Sequence, residues 1–255
     1  MILGLCTGTS NAPALAAAGW SFIEENAQSF LQAQALPDAW NRPQNAALPV
    51  SSLNCFIPGN IPVVGPSADE NAWTPYVERA LSRAGEAGVR TIVFGSGVAR
   101  HIPEGFARTK AAAQVDHFLR VAGTFAEAHH VVIVIEPLNR GECNFINTVT
   151  EAVDIARRVQ SPNVKCLVDS YHFWLEDESL SALEAAMPWI RHVHVADKEG
   201  RVPPGESGKS DYGPFFRVLK QGGYDGPIAV ECRDFSVPEH GRRVFDYLTS
   251  QWHAA

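Results

Sequence analysis

Four apolar segments in the second half of the chain each bring a side chain of a metal-binding type to the end of a strand-like run. They are VVIVIE ending at Glu136, KCLVD ending at Asp169, RHVHV carrying His194, and PIAVE ending at Glu231. Burying a charged carboxylate costs several kcal/mol unless it is paired or bound to a metal ion. Four such endings in order, separated by helix-length segments, place three carboxylates and one imidazole on one rim of a parallel sheet. This is the ligand set of a hard or borderline divalent cation, and in this setting it indicates an enzyme.

The whole chain alternates between strand-like and helix-like segments. The strand candidates occupy residues 2–7, 20–26, 50–56, 89–95, 131–136, 165–169, 191–195 and 227–231. Near-continuous apolar strands alternating with helices predict a parallel sheet covered by helices, and eight of them predict a single (β/α)₈ barrel over residues 1–255. A doubly wound open sheet would need a Gly-rich phosphate loop after the first strand, and CTGTSN contains one glycine and no GxGxxG.

Composition narrows the classes of partner. The 255 residues are 45% hydrophobic and 19% charged, which is ordinary for a soluble globular protein. The net charge of −7 and the lack of a Lys/Arg cluster argue against a nucleic-acid partner. No apolar stretch approaches the length of a membrane span, and MILGLCTGTS lacks the basic region of a signal peptide. Five cysteines without a CxxC motif favour reduced thiols, so we expect a cytoplasmic protein that does not bind membranes.

The four strand-end residues fall on adjacent strands of such a barrel and can converge on one ion. Oxygen-rich ligation with a single imidazole favours Mn²⁺, Co²⁺ or Mg²⁺ over the Cys/His set of structural zinc. We therefore expect one divalent metal ion, Mn²⁺ first, with Co²⁺, Mg²⁺ or Zn²⁺ as alternatives. The competing interpretation, that each residue is a separate ion-pair or capping residue, is weaker for four residues than for one.

Several motifs in the same region resemble a known family. The segments EPLNRGECNFINT, VDSYH, HVHVADKEGRVPPG and GYDGPIAVEC are similar to the xylose isomerase-like sugar isomerases and epimerases, especially the D-tagatose 3-epimerase type. The resemblance covers residues 130–232 and follows the order Glu-(x)₅-Glu, Asp-x-x-His, His-x-His with a following Arg, and a final strand Glu. It implies that Glu136, Asp169, His194 and Glu231 bind one divalent metal.

The resemblance also implies roles in catalysis and substrate binding. Glu136 and Glu231 match the acid/base pair of such enzymes, and Glu142, His172 and Arg201 match positions that hold substrate oxygens. The chain departs from that pattern at two positions, because Arg201 lies one residue further from its histidine and Gly141 replaces an aromatic residue. Both positions belong to the substrate pocket, so the resemblance implies no particular sugar.

The residue types suit this chemistry independently of any family. Moving a carbonyl along a sugar, or inverting the neighbouring carbon, requires removal of a proton next to the carbonyl. A metal ion stabilises the charge that develops, and a carboxylate on each face of the planar intermediate can take or return a proton. We expect a ketose 3-epimerase or an aldose–ketose isomerase acting on a small sugar. The alternative is a metal-dependent dehydratase (lyase) of a keto-polyol such as inosose or dehydroshikimate, whose product would have lost water.

Other features carry open alternatives. Arg100, in GSGVARH after the fourth strand, is expected either to touch substrate or to pair with a structural carboxylate. His192 has the strand parity of His194 and is expected to be a hydrogen-bonded core residue. The stretch around Pro37 and Pro43 is expected to be irregular. The Pro/Gly-rich loop 57–71 is expected to be either a mobile cover or a subunit contact, in a homo-oligomer such as a dimer or tetramer.

Overall fold

The computed structural model describes residues 1–35, 40 and 47–255, so Pro37 and Pro43 lie outside the described residues. The eight predicted strands form one closed parallel barrel in chain order. They are β1 Ile2–Cys6, β2 Phe22–Asn26, β3 Val50–Asn54, β4 Thr91–Phe94, β5 Val132–Ile135, β6 Val164–Asp169, β7 Ile190–Val195 and β8 Pro227–Val230. The barrel closes where Leu3 of β1 pairs with Ile228 of β8. The predicted (β/α)₈ architecture is confirmed.

Helices surround the barrel and follow most of the strands. They are α1 Ala12–Ala17, α2 Ala27–Leu31, α3 Glu70–Ala87, α4 Arg108–Ala128, α5 Val149–Val159, α6 Ser170–Leu175, α7 Leu180–Ala186, α8 Tyr212–Gln221 and α9 Val237–Ala254. Helix α3 ends at Gly88, which adopts a left-handed conformation with φ of 84°, as the sequence predicts for a C-terminal cap. It begins at Glu70, so the preceding loop is slightly shorter than the sequence predicts. No helix in the described part of the chain is long and apolar enough to cross a membrane.

The strands separate two apolar regions because successive side chains point to opposite faces. Ile92, Ile133 and Ile135 belong to the main core between barrel and helices. Val93 and Val134, on alternate positions, belong to a separate cluster inside the barrel. Apolar side chains therefore fill the barrel interior. Polar side chains lie at the mouth of the barrel, which is formed by the carboxyl ends of the strands.

Candidate active site

The four predicted metal ligands meet at the carboxyl end of the barrel. Glu136 and Glu231 directly follow β5 and β8, Asp169 ends β6, and His194 lies in β7 in register with Asp169. One ligand atom from each residue can be chosen so that all lie within 4.8 Å of one another. His194 Nδ1 lies 3.2 Å from Glu136 Oε1 and 3.3 Å from Glu231 Oε2. The structure thus brings these residues together as one group.

The two glutamates of this group differ in their affinity for a proton. Burial raises the pKa of Glu136 above its ordinary value, although the hydrogen bond with His194 acts in the opposite direction. Burial would also raise the pKa of Glu231, but the charges of His194 and Arg201 outweigh it and hold that pKa at about 2. Glu136 therefore favours a proton more than Glu231 does, although the two carboxyls face the same imidazole nitrogen.

The donor set fits a divalent cation. Glu136, Asp169 and Glu231 place three carboxylates in a largely buried site, and hard divalent ions prefer such oxygen ligands. Burial would lower the pKa of His194, yet the surrounding carboxylates, Glu24 and Glu231 foremost, raise it well above its ordinary value. The site thus stabilises positive charge strongly, which is the electrostatic requirement for holding a metal ion.

Glu24, at β2, is a site residue that the strand-end analysis missed. Its Oε1 lies 2.8 Å from His194 Nε2, and its Oε2 lies 2.7 Å from His192 Nε2 and 2.5 Å from Ser52 Oγ. Because Glu24 engages one ring nitrogen of His194, the other nitrogen is turned toward the three carboxylates, as is usual for metal-binding histidines. His192 is a buried, hydrogen-bonded histidine, as the sequence predicts. The segment FIEEN carries two carboxylates just before the end of its strand, and this is the signal in the sequence that points to Glu24.

Two further residues, at the ends of β3 and β4, help to position the carboxylates of Glu136 and Glu231. Asn54, the last residue of β3, donates its side-chain N–H to Glu231 Oε1 at 2.8 Å. Gly95, directly after β4, leaves the space that the Glu136 carboxylate occupies, since a Cβ there would lie 2.1 Å from Glu136 Oε2. The position of Glu136 therefore depends on the neighbouring strand β4, and that of Glu231 depends on β3.

His172, on α6, presents a buried polar atom to the pocket. Its Nδ1 accepts a hydrogen bond from the backbone N–H of Asn139 at 3.2 Å, which leaves Nε2 to carry the proton of the neutral ring. Nε2 lies 3.6 Å from Asp169 Oδ2 and 4.0 Å from Glu142 Oε2, and it has no hydrogen-bond partner among the described residues. A buried donor without a partner is unfavourable, so it is suited to bind a ligand oxygen.

Arg201 reaches the same group from the loop after β7. It donates to Asp169 Oδ2 at 3.1 Å and to Glu231 Oε2, and its guanidinium lies 4.9 Å from the ring centre of Tyr171. Another nitrogen of the guanidinium lies 3.7 Å from Glu142 Oε1. The positively charged Arg201 side chain thus directly faces the carboxylates of Asp169 and Glu231.

The loop that carries Arg201 is organised around the fully buried Asp197. The Asp197 carboxylate accepts hydrogen bonds from the backbone N–H groups of Gly205 and Ser207 and from the hydroxyl of Tyr212, at 2.9–3.0 Å. Arg201 itself has a φ of 55°, a left-handed conformation that is uncommon for a residue with a side chain. The loop therefore holds Arg201 in a conformation that the sequence alone would not suggest.

Arg100 does not reach the pocket, which corrects the expectation that it touches substrate. It is fully buried, and it donates to the backbone carbonyls of Phe94 at 2.8 Å and Glu136 at 2.7 Å. These hydrogen bonds go to backbone carbonyls, and among the described residues Arg100 forms no ion pair with a structural carboxylate either. The guanidinium instead joins the ends of β4 and β5.

A cavity of about 280 Å³ opens above these residues. Its lining includes Glu136, Glu142, His172, Arg201 and Glu231. Asp169 and His194 lie at its base, through their contacts with Arg201 and Glu136. The arrangement combines two carboxyls of unequal proton affinity, a group suited to a divalent cation and several polar side chains, in a volume suited to a small molecule.

A closed eight-stranded parallel barrel surrounded by helices, with polar side chains gathered at the carboxyl ends of its strands, defines the TIM-barrel class. Within that class, the chain belongs to the xylose isomerase-like TIM barrel family, whose model matches residues 12–249.

Relatives with assigned names align with parts of the chain. A mouse protein provisionally named hydroxypyruvate isomerase is 29% identical over 142 residues, covering 54% of this chain and 50% of that protein. D-psicose 3-epimerase of Ruminiclostridium cellulolyticum is 32% identical over 114 residues, covering 44% of this chain and 38% of that enzyme. The chain thus spans about half the length, or less, of these relatives.

A solved structure is similar over nearly the whole chain. D-psicose 3-epimerase from Clostridium cellulolyticum H10, determined with D-tagatose, superimposes with a TM-score of 0.84 at 19% identity and covers 99% of both chains. At this level of identity the similarity shows a shared fold.

Proposed function

We propose that this protein is a divalent-metal-dependent sugar isomerase or epimerase that transfers a proton at a carbon next to a carbonyl. The observation that carries the proposal is the placement of Glu136 and Glu231, whose carboxyl oxygens lie 3.2 and 3.3 Å from the same nitrogen of His194 within one pocket. Two carboxyls in one small cavity suit a reaction that removes a proton and returns one.

In this proposal Glu136, Asp169, His194 and Glu231 would hold the metal ion. Mn²⁺ suits this oxygen-rich set best, and Co²⁺, Mg²⁺ and Zn²⁺ are the alternatives. The ion would supply Lewis acidity toward the carbonyl and a neighbouring hydroxyl oxygen. Glu24 supports the group by orienting His194.

The two glutamates perform the proton transfers. One carboxylate removes the proton from the carbon next to the carbonyl, and the electron pair of the C–H bond passes into an enediolate. For an epimerisation the other carboxyl returns a proton to the opposite face of the same carbon. For an isomerisation a proton is delivered to the neighbouring carbon. Glu136 holds a proton more readily than Glu231 does, because burial raises the pKa of Glu136 whereas the charges of His194 and Arg201 lower that of Glu231.

Three side chains would bind the substrate oxygens. His172 offers a buried N–H donor, and Arg201 offers a guanidinium that favours negative charge on the intermediate. Glu142 can accept hydrogen bonds from hydroxyl groups, since it lies between these two residues with its side chain 39% exposed.

The names of the relatives support two versions of the reaction. The D-psicose 3-epimerase favours epimerisation of a ketose at the carbon next to its carbonyl. The mouse protein provisionally named hydroxypyruvate isomerase favours movement of a carbonyl between neighbouring carbons. Both reactions begin with the same proton removal.

The experiment that tests the proposal is hydrogen–deuterium exchange into a panel of ketoses in D₂O with Mn²⁺. We expect one carbon next to the carbonyl to exchange, and Glu136→Gln and Glu231→Gln to reduce the exchange by orders of magnitude, about 10²–10⁴-fold each. Glu104→Gln, at an exposed position outside the pocket, is the matched control. Full exchange by Glu231→Gln would contradict the two-carboxyl mechanism, and a product lacking one water would indicate the dehydratase.

A further inference from the structure

A second cavity of about 570 Å³ lies beside the candidate active site. We call it the side groove, and its lining comprises Pro62, Val64, Pro66, Ser67, Gly97, Val98, His101, Pro103 and Glu142. Five of these nine residues are Pro or Val, and none is Lys or Arg. The groove is therefore apolar and lacks the side chains that would hold a phosphate group.

The side groove is continuous with the active-site cavity. Gly97, Val98 and Glu142 line both cavities. Val98 is 76% exposed and lies where the two cavities meet. Glu142 also lies within 4.0 Å of His172 and 3.7 Å of Arg201 in the active site. A ligand whose oxygens are bound there has the side groove directly next to it.

The walls of the side groove are held by hydrogen bonds. The backbone N–H of Val63 donates to the carbonyl of Ala99 at 2.8 Å. The Gln114 side chain joins both backbone groups of Gly65, at 2.8 and 2.9 Å. Gly65 has a φ of 101°, and a Cβ there would lie 2.8 Å from Pro103. Loop 57–69 is thus fastened to the loop after β4 and to α4, so the groove is preformed.

The relative sizes of the two cavities point to a substrate with two parts. A single small sugar fits the 280 Å³ cavity that contains the proton-transfer groups. The larger apolar cavity beside it would remain filled with water, and an apolar group would gain free energy by replacing that water. A free sugar or a sugar phosphate would not use this surface.

We propose that the side groove binds an apolar substituent of the substrate, which makes the substrate class a keto sugar carrying an apolar group, such as an O-glycoside with an apolar aglycone. This inference rests on the proposed function, since the keto sugar occupies the pocket of Glu136 and Glu231. In such a glycoside the anomeric carbon is blocked, so the carbonyl is a ring ketone and the exchangeable protons are on the carbons next to it.

The experiment compares two probes that differ only in the aglycone, the methyl and phenyl 3-keto-β-D-glucopyranosides, by proton exchange in D₂O with Mn²⁺. We expect kcat/KM for the phenyl glycoside to exceed that for the methyl glycoside by at least about tenfold. Ser67→Asp adds a charge inside the groove and should bring the ratio close to one. Ser21→Asp adds the same charge at an exposed position at the start of β2, outside the groove, and should keep the ratio.

The other possible results of this experiment either contradict the proposed binding of an apolar substituent or test it in a second way. Three results would contradict binding of an apolar substituent in the side groove while leaving the proposed function intact. They are equal kcat/KM for the two glycosides, an unchanged ratio in Ser67→Asp, and exchange of free ketoses alone. If no sugar exchanges a proton, the proposed function fails. Calorimetric measurement of the binding of the two glycosides to the Mn²⁺-loaded protein then tests, independently of catalysis, whether the side groove binds the phenyl group. Tighter phenyl binding that Ser67→Asp weakens would then support it, and equal binding would refute it. A change of mass by light scattering in Ser67→Asp would identify the groove as a subunit contact and also refute it.

Discussion

The two halves of the barrel contribute different kinds of residue to the candidate site. Strands β5 to β8 carry the four proposed metal ligands, two of which are the proposed acid and base. Strands β1 to β4 supply none of these four, yet Glu24, Asn54 and Gly95 contact or make room for three of them. The second half thus provides the proposed reactive groups, and the first half helps to determine where those groups lie.

This difference explains why the halves should respond differently to substitution. Removing a ligand takes away a donor atom and a charge from the ion. Removing a supporting contact leaves the donor in place but lets it move, so the loss should be smaller and graded. Substitutions that keep size and shape nearly constant can separate these two kinds of effect.

The largest effect is expected for Asp169→Asn, in the second half. Asp169 also caps α6, since its side chain accepts from the N–H of Tyr171 at 2.9 Å, and asparagine can preserve that cap. We expect the affinity for Mn²⁺ to fall by more than about 100-fold, beyond the range for supporting residues, with little change in the fold. Titration calorimetry measures the affinity and circular dichroism monitors the fold. Unchanged Mn²⁺ affinity would remove Asp169 from the proposed ligand set.

Glu24→Gln, in the first half, is expected to have an intermediate effect. Glutamine keeps one acceptor for the two histidines but loses the charge that favours a proton on His194 Nε2. The Mn²⁺ affinity should fall by about 10–100-fold. Glu25→Gln is the matched control, because the adjacent side chain bonds instead to the N–H of Thr9. A loss as large as that of Asp169→Asn would show that the two halves do not differ in the way described.

Gly95→Ala should give a loss of similar size that falls on catalysis instead of on metal affinity. The added methyl group would overlap Glu136 Oε2, so the carboxylate must move away from its place beside His194. We expect kcat to fall by about 10–100-fold, because small displacements of a reacting group have effects of that size. Gly8→Ala is the control, since a Cβ there would lie 3.7 Å from the nearest side-chain atom. Normal kcat in Gly95→Ala would show that the position of Glu136 is not set by β4.

The halves also differ in how much of them the sequence predicted. The sequence predicts all eight strands and the gathering of Glu136, Asp169, His194 and Glu231 at one end of the barrel, because strand ends and residue types are properties of short segments. Glu24 was missed because it lies two residues before the end of β2, and because its contact with His194 joins residues 170 positions apart. Gly95 was missed because its role is to lack a side chain, which leaves room for the Glu136 carboxylate. The position of Arg100 in the loop after β4 suggests either a contact with substrate or a pairing with a structural carboxylate, whereas its side chain turns inward to backbone carbonyls.

The smallest effect concerns Glu178, a carboxylate of the second half that lies outside the site. Burial raises the pKa of Glu178 to about 7, against the lowering effect of the hydrogen bond from the N–H of Val149. The folded chain therefore holds a proton between pH 4.5, the ordinary value, and about 7, where the unfolded chain has released it. This contribution to stability is fully present below pH 4.5 and is lost as the pH rises through 7.

Glu178→Gln should remove that dependence, because glutamine stays neutral and can still accept from Val149. We expect the variant to gain stability relative to the parent between pH 5 and 8, by less than about 1 kcal/mol because solvent screens a partly exposed group. Urea unfolding at the two pH values measures the change, and Glu184→Gln, at an exposed position of α7, should show no such trend. The Mn²⁺ affinity of Glu178→Gln should equal that of the parent, since Glu178 is not among the clustered ligands. A loss of Mn²⁺ affinity would mean that the site extends beyond the strand ends, and the division between the two halves would have to be redrawn.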